Sequence, residues 1–257
     1  MSELDAQRQA LKDQIIAERG YWHPFHQGLL ERDPDFLAAY LAFLSQPWRT
    51  GVLQPKVREF IYIAVDASVA HMYERGMRRH IEFALERGAT PDEVLEVVEL
   101  AAGLGGESAI LGVRILAEEL KAIRGEDVEA AALSEEQKRL KDEFIAVMGG
   151  WPDYGDAFLS LDADYLRSFL AFVGGPWKRG TLEPKIKDFV AIAVNSSPAT
   201  LNPDGVRRHI RSALDHGATS TEIMEVIQLA AAIAIHTCTI GVPNLVEADA
   251  ARTGIVG

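Results

Sequence analysis

The chain contains the same unit twice. The segment Gly76–Thr90 returns 129 residues later as Gly205–Thr219, and this offset aligns residues 4–118 with 133–247 without a gap. About two-fifths of the aligned positions are identical. The period is far longer than that of solenoid repeats, so each copy is expected to be a small domain or half of one. Two copies of one surface favour a pseudo-two-fold arrangement in which each repeat packs on the other.

The overall composition is typical of a soluble globular protein and argues against several partner classes. A formal charge of −12 disfavours nucleic acid and anionic membranes as the main partner. The start of the sequence shows no basic segment followed by an apolar one, and no apolar run approaches the roughly 20 residues that span a bilayer. The single cysteine, Cys238, excludes an intramolecular disulfide and a CxxC redox pair. We therefore expect a cytoplasmic protein.

The apolar pattern predicts helices in both copies and no convincing strand, so the expected fold class is all-α. Amphipathic helices are predicted at residues 4–19 and 133–148, and Pro55 and Pro184 are expected to begin largely buried helices. The aromatic, proline-broken stretch 21–26 is expected to form a turn rather than a helix.

A break is also expected at the Pro-Trp segments 47–51 and 176–180 of the two copies. The predicted domain organisation is a first repeat at residues 1–122, a linker at 123–132 and a second repeat at 133–257.

The string Leu53–Phe60, the histidine at position 80 and the segment Gly88–Val94 resemble the carboxymuconolactone decarboxylase family. That family also contains the AhpD-type alkylhydroperoxidases. The resemblance covers more than half of each repeat and implies an AhpD-like helical fold in two tandem repeats related by pseudo-two-fold symmetry. Members usually assemble into trimers or hexamers, so a homotrimer of this tandem chain would mimic a hexamer.

The peroxidase branch carries two redox cysteines seven and four residues before the histidine. Here those positions hold Tyr73 and Gly76 in the first copy and Asn202 and Gly205 in the second. Thiolate chemistry needs a thiolate, and Cys238 lies on a different predicted helix without a resolving partner. The sequence therefore excludes a thiol peroxidase and leaves the decarboxylase branch as the closer relative.

The resemblance implies that His80 and Glu59 are catalytic, together with their copies His209 and Asp188. Loss of carbon dioxide from a lactone or keto acid needs donors at the developing enolate oxygen and an acid that protonates carbon. Histidine is the natural acid near neutral pH. We expect His80 near the start of its helix.

The substrate-binding residues are predicted from their charge and from their position beside the histidine. Arg58 and Arg79 are expected to hold a substrate carboxylate, and the pocket is expected to include His71, Tyr73, Trp48 and His236. Each has a structural alternative: the Glu/Arg set as an ion pair between helices, His80 as a core residue, His71 and Tyr73 as a surface loop, and the tryptophans as core anchors.

The function predicted from the sequence is a cofactor-independent lyase, similar to carboxymuconolactone decarboxylase, acting on a small carboxylated lactone or keto acid. The alternative is a non-catalytic oligomeric or small-ligand-binding protein. No metal is expected, because His23 and His26 lack further ligands nearby. The second copy has Asp188 for Glu59 and Lys for Arg58, so the first copy is expected to carry the activity if only one is active.

Overall fold

The structure, a computed structural model, describes residues 3–130 and 132–253; Ala131 of the predicted linker and residues 254–257 of the tail lie outside this range. The described residues form helices and turns and no strand, which confirms the all-α class. The helices are α1 Glu3–Arg19, α2 Pro24–Arg32, α3 Pro34–Thr50, α4 Pro55–Ala67, α5 Glu74–Glu86, α6 Pro91–Gly106, α7 Ser108–Arg124, α8 Glu135–Met148, α9 Gly155–Leu161, α10 Ala163–Val173, α11 Gly175–Lys178, α12 Pro184–Ser196, α13 Pro203–Asp215, α14 Ser220–Ala231 and α15 His236–Thr253, with 3-10 helices at Val128–Ala130 and Ala232–Ile235.

The helices form two compact units. The first combines the chain up to Val52 with the chain from Ala231 onward, and the second is Leu53–Ala230. The second unit therefore contains parts of both repeats. The predicted division at residues 122 and 133 follows the duplication in the sequence and stays a prediction.

The first unit is built from α1, α2, α3 and α15. Its core consists of Ile15, Phe25, Leu29, Leu30, Leu37 and Leu41. Helices α2 and α15 pack closely at Gly28, where a β-carbon would lie 2.5 Å from a Val242 methyl group. A side chain at position 28 would require Val242 to move.

Two equivalent helices, α4 and α12, form the centre of the second unit. Residues 57–66 of α4 and 187–195 of α12 are buried without interruption. A helix that is apolar on nearly all sides is stable only inside a protein. Helix α4 packs against α5, α6 and α12, while α12 packs against α13, α6 and α4.

Two buried ion pairs join the repeats within this unit. The Arg58 Nε donates to Glu225 Oε1 over 2.6 Å, and the Lys187 ammonium lies 2.7 Å from Glu96 Oε1. Position 58 of the first repeat corresponds to 187 of the second, and 96 corresponds to 225. Each repeat therefore supplies the cation of one pair and the carboxylate of the other, as a two-fold relation requires.

The two pairs differ in how the cation is held. Glu225 also accepts the Leu53 N–H at 2.9 Å, so both of its oxygens are used. Lys187 directs its N–H groups to the carbonyl oxygens of Pro176, Trp177 and Arg179. Because three carbonyls take the three donors of an ammonium group, Glu96 interacts with Lys187 mainly through its charge.

Some predicted boundaries were wrong. The stretch 21–26 was expected to be a turn, but Pro24 occupies the first position of α2, where its missing N–H costs nothing. In the first repeat α3 runs through Pro47 to Thr50, whereas in the second α10 ends at Val173 before the short α11.

The carboxyl-terminal helices form a long apolar stretch. Residues Ser220–Thr253 are long and apolar enough to cross a membrane by length and composition alone, which the apolar pattern of the sequence did not predict. Core helices of soluble proteins can be equally long and apolar, so this feature is weak evidence for a membrane span.

The Arg58–Glu225 pair predicts a large destabilisation when its carboxylate is removed. Replacing Glu225 by Ala leaves a buried guanidinium without the charge of Glu225, which typically costs about 3–5 kcal/mol. Denaturant unfolding followed by circular dichroism measures this loss. The control is Lys138→Ala, which breaks the exposed Lys138–Glu135 pair and should cost less than about 1 kcal/mol. Equal losses in both variants would contradict this role of the buried pair.

Candidate active site

Both repeats bring a histidine onto a buried carboxylate. In the first repeat His80 lies in the middle of α5, not near its start as expected, and faces Glu59 of α4. The His80 Nδ1 lies 2.6 Å from Glu59 Oε2. The Tyr62 ring stacks on the imidazole at a centroid distance of 4.5 Å. The carboxylate and the stacked ring together fix the orientation of His80.

Three further side chains surround this pair. The Arg87 Nε lies 3.8 Å from Glu59 Oε1, so the carboxylate has a second cationic neighbour. The guanidinium groups of Arg79 and Arg87 both lie over the Phe83 ring, 4.7 Å and 4.8 Å from its centroid. Such cation–π contacts hold both arginines on the Phe83 ring, whose centroid lies 6.5 Å from that of His80.

In the second repeat the carboxylate of Asp188 is the centre of a larger hydrogen-bond network. The His209 Nδ1 lies 3.1 Å from Oδ1, while the Ser212 hydroxyl donates to Oδ2 and the His216 Nδ1 lies 2.8 Å from that same oxygen. Asp188 is fully buried. Three partners from the α13 segment therefore compensate the desolvation of a single carboxylate.

The other ring nitrogen of His209 faces a second charged pair. An Arg208 nitrogen lies 3.5 Å from His209 Nε2 and also donates to both oxygens of Glu107, at 2.7 Å and 2.8 Å. Because the Asp188 carboxylate accepts at Nδ1 and a guanidinium can only donate at Nε2, these partners favour the tautomer that carries its proton on Nδ1. The Trp177 ring stacks on His209, 5.2 Å between centroids and 11° from parallel.

Arg208 lines a cavity of about 550 Å³. Its charged and polar wall includes Glu107, Arg114, Tyr154 and Asp204, and its apolar wall comes from α6, α7 and the segments that follow α4 and α12. Within this wall, the Arg114 guanidinium lies 3.4 Å from the Asp204 carboxylate. Burial raises the pKa of Tyr154 to about 12, so its hydroxyl stays protonated and can donate. The volume suits a small organic ligand.

The cavity reaches the positions where the peroxidase branch carries cysteines. Asn202, one of these positions, donates to Asn195 Oδ1 at 2.8 Å, and both amides line the cavity. At the other, Gly205, a β-carbon would lie 2.3 Å from that same oxygen. In the first repeat a β-carbon on Gly76 would lie 2.2 Å from Asp66 Oδ2. A cysteine at either glycine position would require Asn195 or Asp66 to move.

The predicted substrate-binding residues fall into different places. Arg79 lies beside His80, but the guanidinium of Arg58 is buried and bonded to Glu225. Trp48 lies in the first unit, where the Arg19 guanidinium is 5.2 Å from its ring. His236 also belongs to the first unit and begins α15, half-buried. The Arg58 guanidinium is therefore held by Glu225, whereas the expected places of Trp48 and His236 in the pocket stay predictions.

His71 and Tyr73 lie in the loop between α4 and α5 and do not line the 550 Å³ cavity, whereas their counterparts Thr200 and Asn202 do. The His71 Nε2 lies 3.7 Å from Asp66 Oδ1. Burial raises the pKa of Asp66 to about 8 and lowers the pKa of His71. Both shifts favour the neutral forms, so we interpret this contact as one between uncharged groups at neutral pH.

The sequence patterns did not identify His216 and Ser212 as members of the network. His209, Ser212 and His216 are separated by three and four residues, so the helical period places them on one face of the α13 segment. This spacing could have identified Ser212 and His216 from the sequence. A comparison of the repeats hides it, because Phe83 and Arg87 occupy the equivalent positions of the first repeat.

Comparisons with known proteins show which family the chain belongs to. The carboxymuconolactone decarboxylase family matches the chain twice, over residues 34–119 and 163–251. The chain belongs to the carboxymuconolactone decarboxylase family. Each match lies within one of the two repeats, which confirms the resemblance found in the sequence.

A solved structure is similar over nearly the whole chain. It is a protein from Burkholderia xenovorans LB400, provisionally described as a gamma-carboxymuconolactone decarboxylase subunit, with 36% identity and a TM-score of 0.88. The similarity covers 96% of this chain and 98% of that one. No curated protein matches the chain. The similarity confirms the tandem all-α fold.

The raised pKa of Asp66 predicts how stability depends on pH. Between the ordinary carboxyl range near pH 4 and about pH 8, the unfolded chain ionises Asp66 while the folded protein keeps it protonated. Folding therefore loses stability as the pH rises through this window. Asp66→Asn, which copies Asn195 of the second repeat, removes this penalty.

We expect Asp66→Asn to stabilise the protein at pH 8, by an amount of order a few kcal/mol, and to have little effect below pH 4. Denaturant unfolding at several pH values measures the difference. The reverse variant, Asn195→Asp, should lose stability as the pH rises. A pH-independent difference between Asp66→Asn and the wild type would contradict the assignment.

Proposed function

We propose that the protein is a cofactor-independent carboxy-lyase acting on a small carboxylated lactone or keto acid. The observation that carries the proposal is the buried Asp188–His209 pair, whose neighbour Arg208 lines a 550 Å³ cavity. Family membership and the provisional description of the Burkholderia protein support a decarboxylase. The γ-carboxymuconolactone of that description is the first substrate to test.

The reaction needs three things from the protein. The bond from carbon to the carboxylate breaks, its electron pair moves into a conjugated carbonyl, and carbon dioxide leaves. The resulting enolate takes one proton at carbon, so no oxidant or reductant is required. The protein must therefore hold the carboxylate, donate hydrogen bonds to the enolate oxygen and supply the proton.

The cavity wall offers donors for the enolate oxygen. The Tyr154 hydroxyl stays protonated because burial raises its pKa, and the nearby Arg208 charge only partly opposes that rise. The Asn202 amide also lines the cavity. Donors held in place before the substrate binds stabilise developing charge without reorganisation, and in many enzymes this stabilisation contributes most of the rate enhancement.

We propose that the His209 imidazole supplies the proton after taking one up on Nε2. Its Nδ1 is held by Asp188, and its Nε2 faces Arg208, whose side chain lines the cavity. A proton on Nε2 would be balanced by the Asp188 carboxylate, in the manner of other carboxylate–histidine pairs. We infer that the second repeat carries the activity, whereas the sequence alone favoured the first. The first repeat offers the same pair in Glu59 and His80.

The proposal predicts that catalysis depends on His209. His209→Ala should lower kcat/KM for carbon dioxide release by about 10²–10⁴-fold, as expected for loss of a general acid. His80→Ala reports whether the first repeat also works. The control is Cys238→Ser, which should keep full activity because no thiol step is involved.

A linked assay for carbon dioxide, started with γ-carboxymuconolactone and related lactones, gives the rates. The idea fails if the wild type releases no carbon dioxide from any of them, or if both histidine variants match it. Thermal stabilisation by a lactone without turnover would instead support the alternative of a small-ligand-binding protein.

We also propose that the chain self-associates, as the word "subunit" in the description of the Burkholderia protein suggests. Large apolar side chains are exposed at equivalent positions of both repeats; the pairs include Phe43 and Phe172, Met72 and Leu201, and Leu111 and Ile240. Met72 and Leu201 also have left-handed φ values of 47° and 45°, a costly conformation for such residues. Exposed apolar positions kept in both copies favour a protein interface.

From the family resemblance we expect a homotrimer, in which six repeats would surround one axis. Light scattering coupled to size exclusion should give a molar mass three times that of the 28.2 kDa chain. A mass equal to a single chain at all concentrations would contradict self-association.

A further inference from the structure

His216 is the exposed end of the network around Asp188. Its side chain is 44% exposed, whereas Asp188 is completely buried and His209 is 5% exposed. The two imidazoles contact different oxygens of the same carboxylate, at 3.1 Å and 2.8 Å. His216 can therefore take up a proton from solvent while remaining bonded to the partner of the buried histidine.

The first repeat has a permanent cation at the equivalent position. Arg87 corresponds to His216, and its Nε lies 3.8 Å from Glu59 Oε1. Arginine stays charged at every pH at which proteins fold. The two sites thus share one arrangement, a carboxylate between an imidazole and a second basic side chain, which is Arg87 in the first repeat and His216 in the second.

We propose that His216 is a positioning residue that makes the Asp188–His209 pair respond to pH, while Arg87 gives the first repeat a fixed charge. The effect of His216 on turnover rests on the function proposed above. The electrostatic coupling itself depends only on the shared carboxylate.

The coupling follows from the charges at Asp188. With His216 neutral, the carboxylate is available to balance a positive charge on His209. Once His216 is protonated, its charge lies next to Oδ2 and competes for the same carboxylate. A like charge disfavours ionisation of a neighbouring group, so protonation of His216 works against protonation of His209. The two histidines then titrate as a coupled pair.

The other charged groups around the network have partners of their own. Arg208, on the Nε2 side of His209, is paired with Glu107. Lys187, adjacent to Asp188 in sequence, is paired with Glu96 and three carbonyl groups. Ser212 contributes a hydrogen bond but no charge. His216 is therefore the titratable group whose charge acts directly on the carboxylate.

The test compares the wild type with His216→Gln and His216→Arg by NMR titration of ¹⁵N-labelled histidine side chains. Glutamine keeps a donor for Asp188 without a charge, whereas arginine copies the first repeat. We expect the midpoint of the His209 titration to be lower in His216→Arg than in His216→Gln by about 1 pH unit or more. The wild type should give a two-step curve that becomes a single step in His216→Gln.

Identical His209 titrations in the wild type and His216→Gln would overturn the proposal, and this comparison remains decisive if His216→Arg does not fold. Arg87→His serves as the reciprocal variant and should give the His80 titration a second step. The measurement needs no substrate, so the absence of decarboxylase activity would reject the proposed function without affecting this result. In an active enzyme, His216→Gln should change the pH profile of kcat/KM more than its maximum.

Discussion

Two buried charge pairs between the repeats fix the helices on which both candidate sites depend. Arg58 and Lys187 each bind a carboxylate of the other repeat, and the next residue in each helix, Glu59 or Asp188, binds the histidine of its own repeat. Consecutive residues of a helix point about 100° apart, so one helix can serve both contacts. The same pairs that join the repeats therefore set the position of the carboxylates, and a change at Glu225 should disturb the site as well as the stability.

The repeats share this frame but differ around it. Tyr62 covers the imidazole of the first repeat, whereas in the second Trp177, from a different helix, stacks on it. Asp66 in the first repeat corresponds to Asn195 in the second. Burial keeps the Asp66 carboxyl protonated and uncharged, whereas the Asn195 amide is uncharged at any pH and donates to a backbone carbonyl. Duplication thus left the carboxylate–histidine pair in place while the polar groups around it changed. The second repeat combines that pair with an adjoining cavity wall, and for this reason it is the stronger candidate.

Much of the fold could be predicted because the apolar periodicity and the helix-start signals occur in both repeats. The buried helices after Pro55 and Pro184 and the facing of histidine and carboxylate followed from periodicity and from the family resemblance. The helix at Pro24 was missed because proline punctuates turns and helix starts alike. The role of Arg58 could not be predicted, since its partner lies 167 residues away and no local pattern reports such a contact. The Asp188 network was equally hidden, because it depends on residues that differ between the repeats.

The central claim is that an imidazole held by a buried carboxylate delivers a proton to one carbon of the enolate that remains after carbon dioxide leaves. Decarboxylation of a lactone substrate in deuterium oxide, with the product examined by NMR, tests it most directly. The account predicts one deuteron at that carbon with a single stereochemistry, because the proton comes from a fixed side chain. Equal incorporation on both faces of the carbon would contradict it, since the proton would then come from free solvent.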